Sequence, residues 1–495
     1  MLKRTGISYG FDKAITTNGK TEIQLNMAKN EAESCVISFS MDEYVGGVYL
    51  DIESDDDFLI ETDREFFTNC NGILWPDALV PFTKADVKKA ELINLLVRFT
   101  SNKNTKAGMH KIKMVLKNAK EEFFTYTVNI NVWDFCLPEE YQVKCSMNIH
   151  QESIYRLHGV CLEEDKRELY KKYYEYMLKF RISPFNPPYD LLDDRADEYL
   201  SDPRLSCFIV DDERTFDDEK LSKIYEKLSK NPEWLKKAIL YPFDEAITKE
   251  HLDTFLDGCK RLNKLCPNIK KTSAFYKDIK YSEEQDEVQV LIDNCQVVLP
   301  KLTCYDDEFI YDEPQLQLKE KYGSFKDRMD KAQQEGKEIW QYVCWEPAKP
   351  YLNMYVDEPG LDHRILLWQQ HLVGATGFLY WCTTFWNWID SPWNTMATVP
   401  DLSENIYGDG SMLYNGNQVG IDGPCGSVRM EAVRDGLEDC EMFLLADKYL
   451  GRDWVLEKIK QVTTDLKTYT DSVSVFVKTR EEIGNALEKA IKKQA

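Results

Sequence analysis

Apolar and polar residues alternate along the first part of the chain. TEIQLNMA, ESCVISFSM, GGVYLDIES, NLLVRFTS, HKIKMVLKN and FFTYTVNINVWDF either alternate or are rich in β-forming residues. Turn-forming clusters such as SNKNTKAGMH separate them. Short strands without a helical period predict a β-sandwich over residues 1–138, which ends at Leu137-Pro138. From about residue 140 the pattern changes. CSMNIH precedes the helical EEDKRELYKKYYEYMLKF, SCFIVDD precedes DDEKLSKIYEKLSK, and KKAILYPFDEA precedes KEHLDTFLDGCKRLNKLCP. NCQVVLPKL, KEIWQYVCWEP and TGFLYWCTTFWN continue the strand series. This rhythm predicts a parallel sheet and, by its count and length, a (β/α)8 barrel over residues 139–430. An open doubly wound sheet is the alternative, but no glycine-rich phosphate loop supports it. Residues 431–495 read as a helical C-terminal segment packing on the barrel, and REEIGNALEKAIKKQ closes it amphipathically.

A chain of 495 residues suits two or three domains of this kind. The formal net charge of −23 argues against nucleic acid and anionic membrane surfaces as partners. It favours a neutral substrate, although much of the charge serves solubility. The opening MLKRTGISYGFDKAITTNGK holds no apolar stretch of secretory type, and no run of about 18 apolar residues follows. Fourteen cysteines without a CxxC pair fit reduced, mostly buried thiols. These features together predict a cytoplasmic location. No His, Cys or Asp arrangement has metal-ligand spacing, and no GxSxG elbow is present. No metal and no cofactor is expected. Oligomeric state is not legible.

Barrel enzymes place their chemistry at the C-terminal ends of strands. The apolar run AILYPF ends in Asp244-Glu245, and a helix begins near Thr248. A sugar-cleaving enzyme needs one carboxyl to protonate the leaving oxygen and a second group to manage charge at the anomeric carbon. Neighbours on a regular strand face opposite ways, so the strand must twist or bulge for both to reach one pocket. Acidic residues before a helix also serve as caps. Asp211-Asp212-Glu213, Asp306-Asp307-Glu308, Asp312-Glu313 and Asp357-Glu358 compete with the pair. Aromatic residues crowd the later segment: Trp340, Tyr342, Trp345, Tyr380, Trp381, Trp386, Trp388 and Trp393. Rings of this kind either fill a core or stack on the C–H faces of sugars. Trp368, inside a helical run, reads as core. Trp381, which ends GFLYW, and Trp386 beyond it read as pocket. His150, at the end of CSMNIH, is a candidate for the same rim, against the plainer reading of a structural hydrogen-bonder.

Several stretches together resemble glycoside hydrolase family 123, the β-N-acetylgalactosaminidases. GDGSMLYNG at 408–416 and GPCGSVRMEAVRDGLEDCEMF at 423–443 are similar to that family's closing signature. KEIWQYVCWEPAKPYLN at 337–353, which ends on Asn353, and DHRILLWQQHLVGATGFLYW at 362–381 are similar to its preceding segments. YPFDEA at 241–246 stands where the family carries its Asp-Glu pair. MAKNEAESCVISF, ILWPDALVPF and KAGMHKIKM resemble its N-terminal domain. Two positions depart from the pattern. Ala246 stands where proline often follows the pair, and Gln341 where tryptophan is common. Asp312-Glu313-Pro314 has the proline but lies out of register.

The resemblance implies retaining hydrolysis of terminal β-linked N-acetylgalactosamine from glycans, assisted by the substrate's own acetamido oxygen. It implies that Glu245 is the acid and base, and that Asp244 holds the acetamido N–H and balances the oxazolinium. Trp340, Tyr342, Asn353, Trp381, Trp386 and His150 are the expected substrate contacts. A related glycosidase acting on another sugar, or a non-catalytic carbohydrate-binding protein on the same scaffold, are the alternatives. The intact acidic pair argues against the last.

Overall fold

Strand-forming segments of the first 136 residues pair into two sheets. The computed structural model describes residues 3–13, 17–53, 57–212, 216–398 and 406–494. They divide into two units: residues 1–139, 354–368 and 386–495 form the first, and residues 140–353 and 369–385 the second. In the first unit, Lys3–Tyr9, Ala32–Met41, Leu92–Thr100, Leu59–Cys70, Ile73–Pro81, Pro424–Ser427 and Tyr414–Asn415 pair in that order. The other sheet runs Glu22–Lys29, Glu122–Cys136, Gly108–Lys117, Val45–Glu53 and Ala85–Val87. Alternate residues of both sheets meet in one apolar core that includes Ile37, Phe39, Leu95, Val97, Met114, Leu116, Val128 and Ile130.

The C-terminal helices belong to this first unit. Helix Val473–Gln494 lies against strand Glu122–Cys136, and Gly484 explains how. A Cβ there would come within 2.2 Å of the Trp133 ring. Trp133 Nε1 donates to Asn485 Oδ1 at 2.8 Å, and the Asp134 amide donates to Glu488 Oε1 at 2.8 Å. The charged residues of the closing signature are buried in the same unit. Arg429 grips Asp77 with two hydrogen bonds at 2.9 and 2.8 Å and donates to the carbonyls of Met354 and Gly408. Glu431 pairs with Arg98 and Arg434, and Asp439 with Arg364 and Arg480. Removing one partner of such a buried pair strands the other charge, which costs about 3–5 kcal/mol. The signature's arginines and acids thus hold the first unit together.

In the second unit all strand pairings are parallel. Ser183–Pro184, Lys144–Met147, Gly377–Tyr380, Glu338–Val343, Val297–Pro300 and Ala274–Phe275 form a six-stranded sheet in that order. Phe208–Asp212, Ala238–Tyr241 and Lys270–Lys271 form a three-stranded one. The described residues therefore show no closed barrel, contrary to the expectation from the alternating pattern. The interruptions have local causes. Strand Ser183–Pro184 is two residues long, and Pro184 has no N–H to extend a ladder. Past it, the Ile209 amide donates to the Phe185 carbonyl at 2.7 Å, and the next link comes from a side chain, Asn186 Nδ2 to the Ile209 carbonyl at 3.2 Å. Thr272 and Ser273 separate Lys270–Lys271 from Ala274–Phe275. Both sheets still contribute to one apolar cluster, through Cys207, Ile209, Ile239, Tyr241, Ala274, Val297, Leu299, Trp340, Tyr342 and Leu379. No helix of the described residues is long and apolar enough to cross a membrane. All fourteen cysteines are free thiols.

Candidate active site

Strand Ala238–Tyr241 is fully buried, and the chain emerges from it through Pro242 and Phe243. Asp244 is exposed and Glu245 half-buried. Helix Lys249–Leu265 follows, capped by the Thr248 side chain. Glu245 takes a φ of 46°, in the left-handed region that residues with a Cβ seldom occupy. This turn breaks the strand's alternation just where alternation would send the two carboxyls apart. The Ile247 amide closes it by donating to the Glu245 carbonyl at 2.8 Å.

Each carboxyl is gripped by a tyrosine. Tyr241 Oη donates to Asp244 Oδ1 at 2.7 Å and accepts from the Ala274 amide at 3.0 Å. Tyr342 Oη donates to Glu245 Oε1 at 2.6 Å. Both tyrosines stand in the apolar cluster that the two parallel sheets share, so a rigid core orients the acidic pair. Burial pushes the Tyr342 phenol well above its usual range, and the Glu245 charge adds to the effect. Tyr342 therefore remains a donor at any working pH. Tyr276, at the end of strand Ala274–Phe275, is raised for the same two reasons.

The other expected residues divide. Trp340 is 1% exposed and lies against Gly377 on the neighbouring strand, where a Cβ would come within 2.5 Å of the indole. It is a core ring. Trp386 is fully buried in the first unit, and its Nε1 donates to Ser411 Oγ at 2.7 Å. Neither ring has a face to offer a sugar. Trp381 is half-buried at the end of strand Gly377–Tyr380 and packs on Phe385 at 4.9 Å, which in turn packs edge-on to His150 at 5.1 Å. Asn353 is buried, and its Nδ2 donates to the carbonyls of Cys344 and Pro347 at 2.9 Å each. It clamps the loop that follows Tyr342. Trp368 is a core ring, as expected.

His150 caps helix Gln151–His158: its Nδ1 accepts from the Ser153 amide at 3.2 Å. That bond needs a lone pair on Nδ1, which places the proton of the neutral ring on Nε2. Burial lowers the His150 pKa from the usual 6.5. The cap is thus complete above the unfolded-state value and is lost as pH falls through the lower folded-state value. In an NMR titration the imidazole is expected to titrate below 6.5, with the Ser153 amide shift following it. Titration at or above that value contradicts the cap.

Among the competing acids, Asp312 caps helix Glu313–Tyr322 and pairs with Lys277 at 2.8 Å. Asp211 is buried and accepts from the Phe216 amide at 3.1 Å. Asp306 accepts from the Tyr351 hydroxyl. Glu213 lies outside the described residues. Tyr241, Tyr276, Lys301, Tyr311 and Glu346 do not stand out in the hydrophobic pattern. Tyr241 and Tyr276 follow the general signal of a polar group at a strand's C-terminal end, and so does Lys301 after Val297–Pro300.

No curated protein matches the sequence. A family 123 glycoside hydrolase from Clostridium perfringens, studied for glycolipid glycan hydrolysis, superimposes with a TM-score of 0.69 at 12% identity, over 100% of this chain and 98% of that chain. The two share a fold. A family 39 glycoside hydrolase from Bacteroides cellulosilyticus WH2 aligns over 84% of this chain and 81% of that chain, with a TM-score of only 0.33 at 9% identity. Residues 227–446 match the model of the glycoside hydrolase 123 catalytic domain, a span that includes Asp244, Glu245 and Tyr342. Over residues 227–446, somewhat under half of its length, the chain is thus similar to the catalytic domain of glycoside hydrolase family 123.

Proposed function

We propose that the protein is a retaining exo-β-N-acetylgalactosaminidase acting on neutral glycans inside the cell, without a cofactor. The observation that carries this reading is the pair of adjacent carboxyls, turned toward common use by the left-handed Glu245 and held separately by Tyr241 and Tyr342. In this reading the two sheets of the first unit form a sandwich, and the parallel strands of the second follow an interrupted (β/α)8 order.

Adjacent carboxyls suit substrate assistance. Two carboxyls in a conventional retaining enzyme flank the sugar about 5–5.5 Å apart, one of them as nucleophile. Here the substrate supplies the nucleophile. Glu245 gives its proton to the glycosidic oxygen while the acetamido oxygen attacks the anomeric carbon and the bond to the aglycone breaks. Asp244 accepts the acetamido N–H and balances the positive charge of the oxazolinium ring. Water then attacks the anomeric carbon from the vacated face, Glu245 takes its proton, and the ring reopens to the acetamide. Tyr342 occupies Glu245 Oε1 throughout, which leaves Oε2 to handle the proton. Trp381 is the ring placed to meet the sugar's C–H face, and His150 Nε2–H a donor beside it.

A panel of nitrophenyl β-glycosides tests the reading. N-acetylgalactosaminide is expected to turn over best, and the galactoside at least ~100-fold more slowly, because it lacks the internal nucleophile. Comparable rates on the two contradict it. Binding without turnover of any member returns the protein to the non-catalytic alternative.

A further inference from the structure

The loop after Tyr342 carries two residues that the reaction above does not use. Trp345 is 47% exposed, two residues past the end of strand Glu338–Val343, which carries Tyr342. Glu346 is its neighbour. The Glu346 carboxylate accepts through Oε2 from Lys301 Nζ at 2.7 Å and from Tyr311 Oη at 3.1 Å. Lys301 is almost fully buried, and its ammonium lies 5.0 and 5.1 Å from the ring centroids of Tyr276 and Tyr311. Those two rings touch edge-on at 5.3 Å. Asn353 fixes the loop from below through the Cys344 and Pro347 carbonyls.

The lysine is enclosed while the Glu346 side chain stays 33% exposed. Its Oε1 takes no hydrogen bond from the described residues. One oxygen is thus locked by two donors, and the other is presented in a fixed direction beside an exposed indole. A fixed carboxylate binds paired hydroxyls without paying the entropy of ordering itself, and an indole covers a sugar's C–H face. The place is set by Tyr276 and Tyr342. Both feel the Glu245 charge, and they stand at the ends of strands on either side of Lys301. Glu245 is half-buried and hydrogen-bonded to Tyr342, and the loop that leaves the Tyr342 strand carries the more exposed Trp345 and Glu346.

We propose that Trp345 and Glu346, anchored by Lys301 and Tyr311, form a subsite for the neutral sugar ring on the leaving-group side of the scissile bond. The ring stacks on Trp345 and donates its hydroxyls to Glu346 Oε1. The inference rests on the glycosidase reading and extends it from the released sugar to the glycan that carries it.

The test measures binding by calorimetry in the full-length Glu245→Gln protein, with two probes. One is methyl β-N-acetylgalactosaminide, and the other a β-N-acetylgalactosaminyl-galactose disaccharide. The disaccharide is expected to bind more tightly. Adding Glu346→Gln, whose amide oxygen still accepts from Lys301, should lower the disaccharide-to-monosaccharide affinity ratio about tenfold. Adding Trp345→Ala, at an exposed position that folding tolerates, should lower it by a similar factor. A ratio that stays within about twofold in both variants overturns the subsite. So does a parent protein that binds neither probe, or shows no preference between them. Turnover of nitrophenyl N-acetylgalactosaminide by the unmodified protein is measured alongside. Retained turnover with no disaccharide preference overturns the subsite alone, whereas absent turnover and absent binding overturn the glycosidase reading with it.

Discussion

Glu245→Gln is expected to leave a folded protein whose hydrolysis of natural, poorly leaving aglycones falls by about 10²–10⁴-fold, the usual share of a positioned general acid. The amide keeps the shape of the side chain and still accepts from Tyr342, so the site should remain assembled. It carries no transferable proton. An alkoxide aglycone then has to depart unprotonated, which makes bond breaking slow. A nitrophenol departs readily as its anion, so the loss on nitrophenyl substrates should be smaller. The diagnostic quantity is the difference between the two losses. Steady-state rates on a disaccharide and on a nitrophenyl glycoside, measured side by side, supply it. Equal losses would mean that Glu245 binds or shapes the site without donating a proton.

Replacing Asp244 should produce the second large effect, with a different signature. Asp244→Asn retains an acceptor for Tyr241 but removes the charge that balances the oxazolinium, and kcat should fall about 100-fold. Asp244→Ala also leaves the Tyr241 hydroxyl without its acceptor and should fall about tenfold further. Because Asp244 is exposed and the amide still accepts from Tyr241, Asp244→Asn should leave the melting temperature nearly unchanged, whereas Asp244→Ala should lower it through the unsatisfied, buried Tyr241 hydroxyl. The losses should persist with nitrophenyl leaving groups, since the charge at the anomeric carbon develops whatever departs. An Asp244→Asn enzyme with full activity would remove this residue from the mechanism. Affinity for a thiazoline analogue of the intermediate should fall in parallel with kcat, because both read the same contact.

Much of the second unit was legible because a strand's end and a helix's start leave local marks. AILY is a buried strand, Thr248 caps the next helix, and the acidic pair lies between them, as the pattern indicates. Sheet closure was not legible, because it depends on hydrogen bonds at single positions. Pro184 and the Thr272-Ser273 break interrupt pairing without disturbing the hydrophobic rhythm. The aromatic crowd also misled. Trp340 and Trp386 have the composition of a sugar platform but are enclosed, and only Gly377, on a distant segment, reveals that the Trp340 indole lies against a strand.

The contacts that orient the site are long-range. Tyr342 lies 97 residues from Glu245, and Lys301 45 from Glu346. Neither spacing is periodic. The left-handed Glu245 carries no signal at all, because glutamate does not favour that region. The closing signature shows the opposite case. Its residues were conspicuous in the sequence, yet Arg429, Glu431, Arg434 and Asp439 are buried in ion pairs of the first unit. A charged helical segment ordinarily reads as a solvent face, and only the partners Asp77, Arg98, Arg364 and Arg480, scattered from residue 77 to residue 480, show otherwise.

The central claim is that adjacent carboxyls at one strand end serve a nucleophile carried by the substrate. Two displacements at the anomeric carbon, the first by the acetamido oxygen and the second by water, restore the starting configuration. The most direct measurement is proton NMR of the first product formed from a nitrophenyl β-N-acetylgalactosaminide, recorded before mutarotation. The account predicts the β-anomer of the free sugar at the earliest times, with the α-anomer growing in only as the solution equilibrates. An α-anomer as first product would mean a single displacement by water, and would contradict the account.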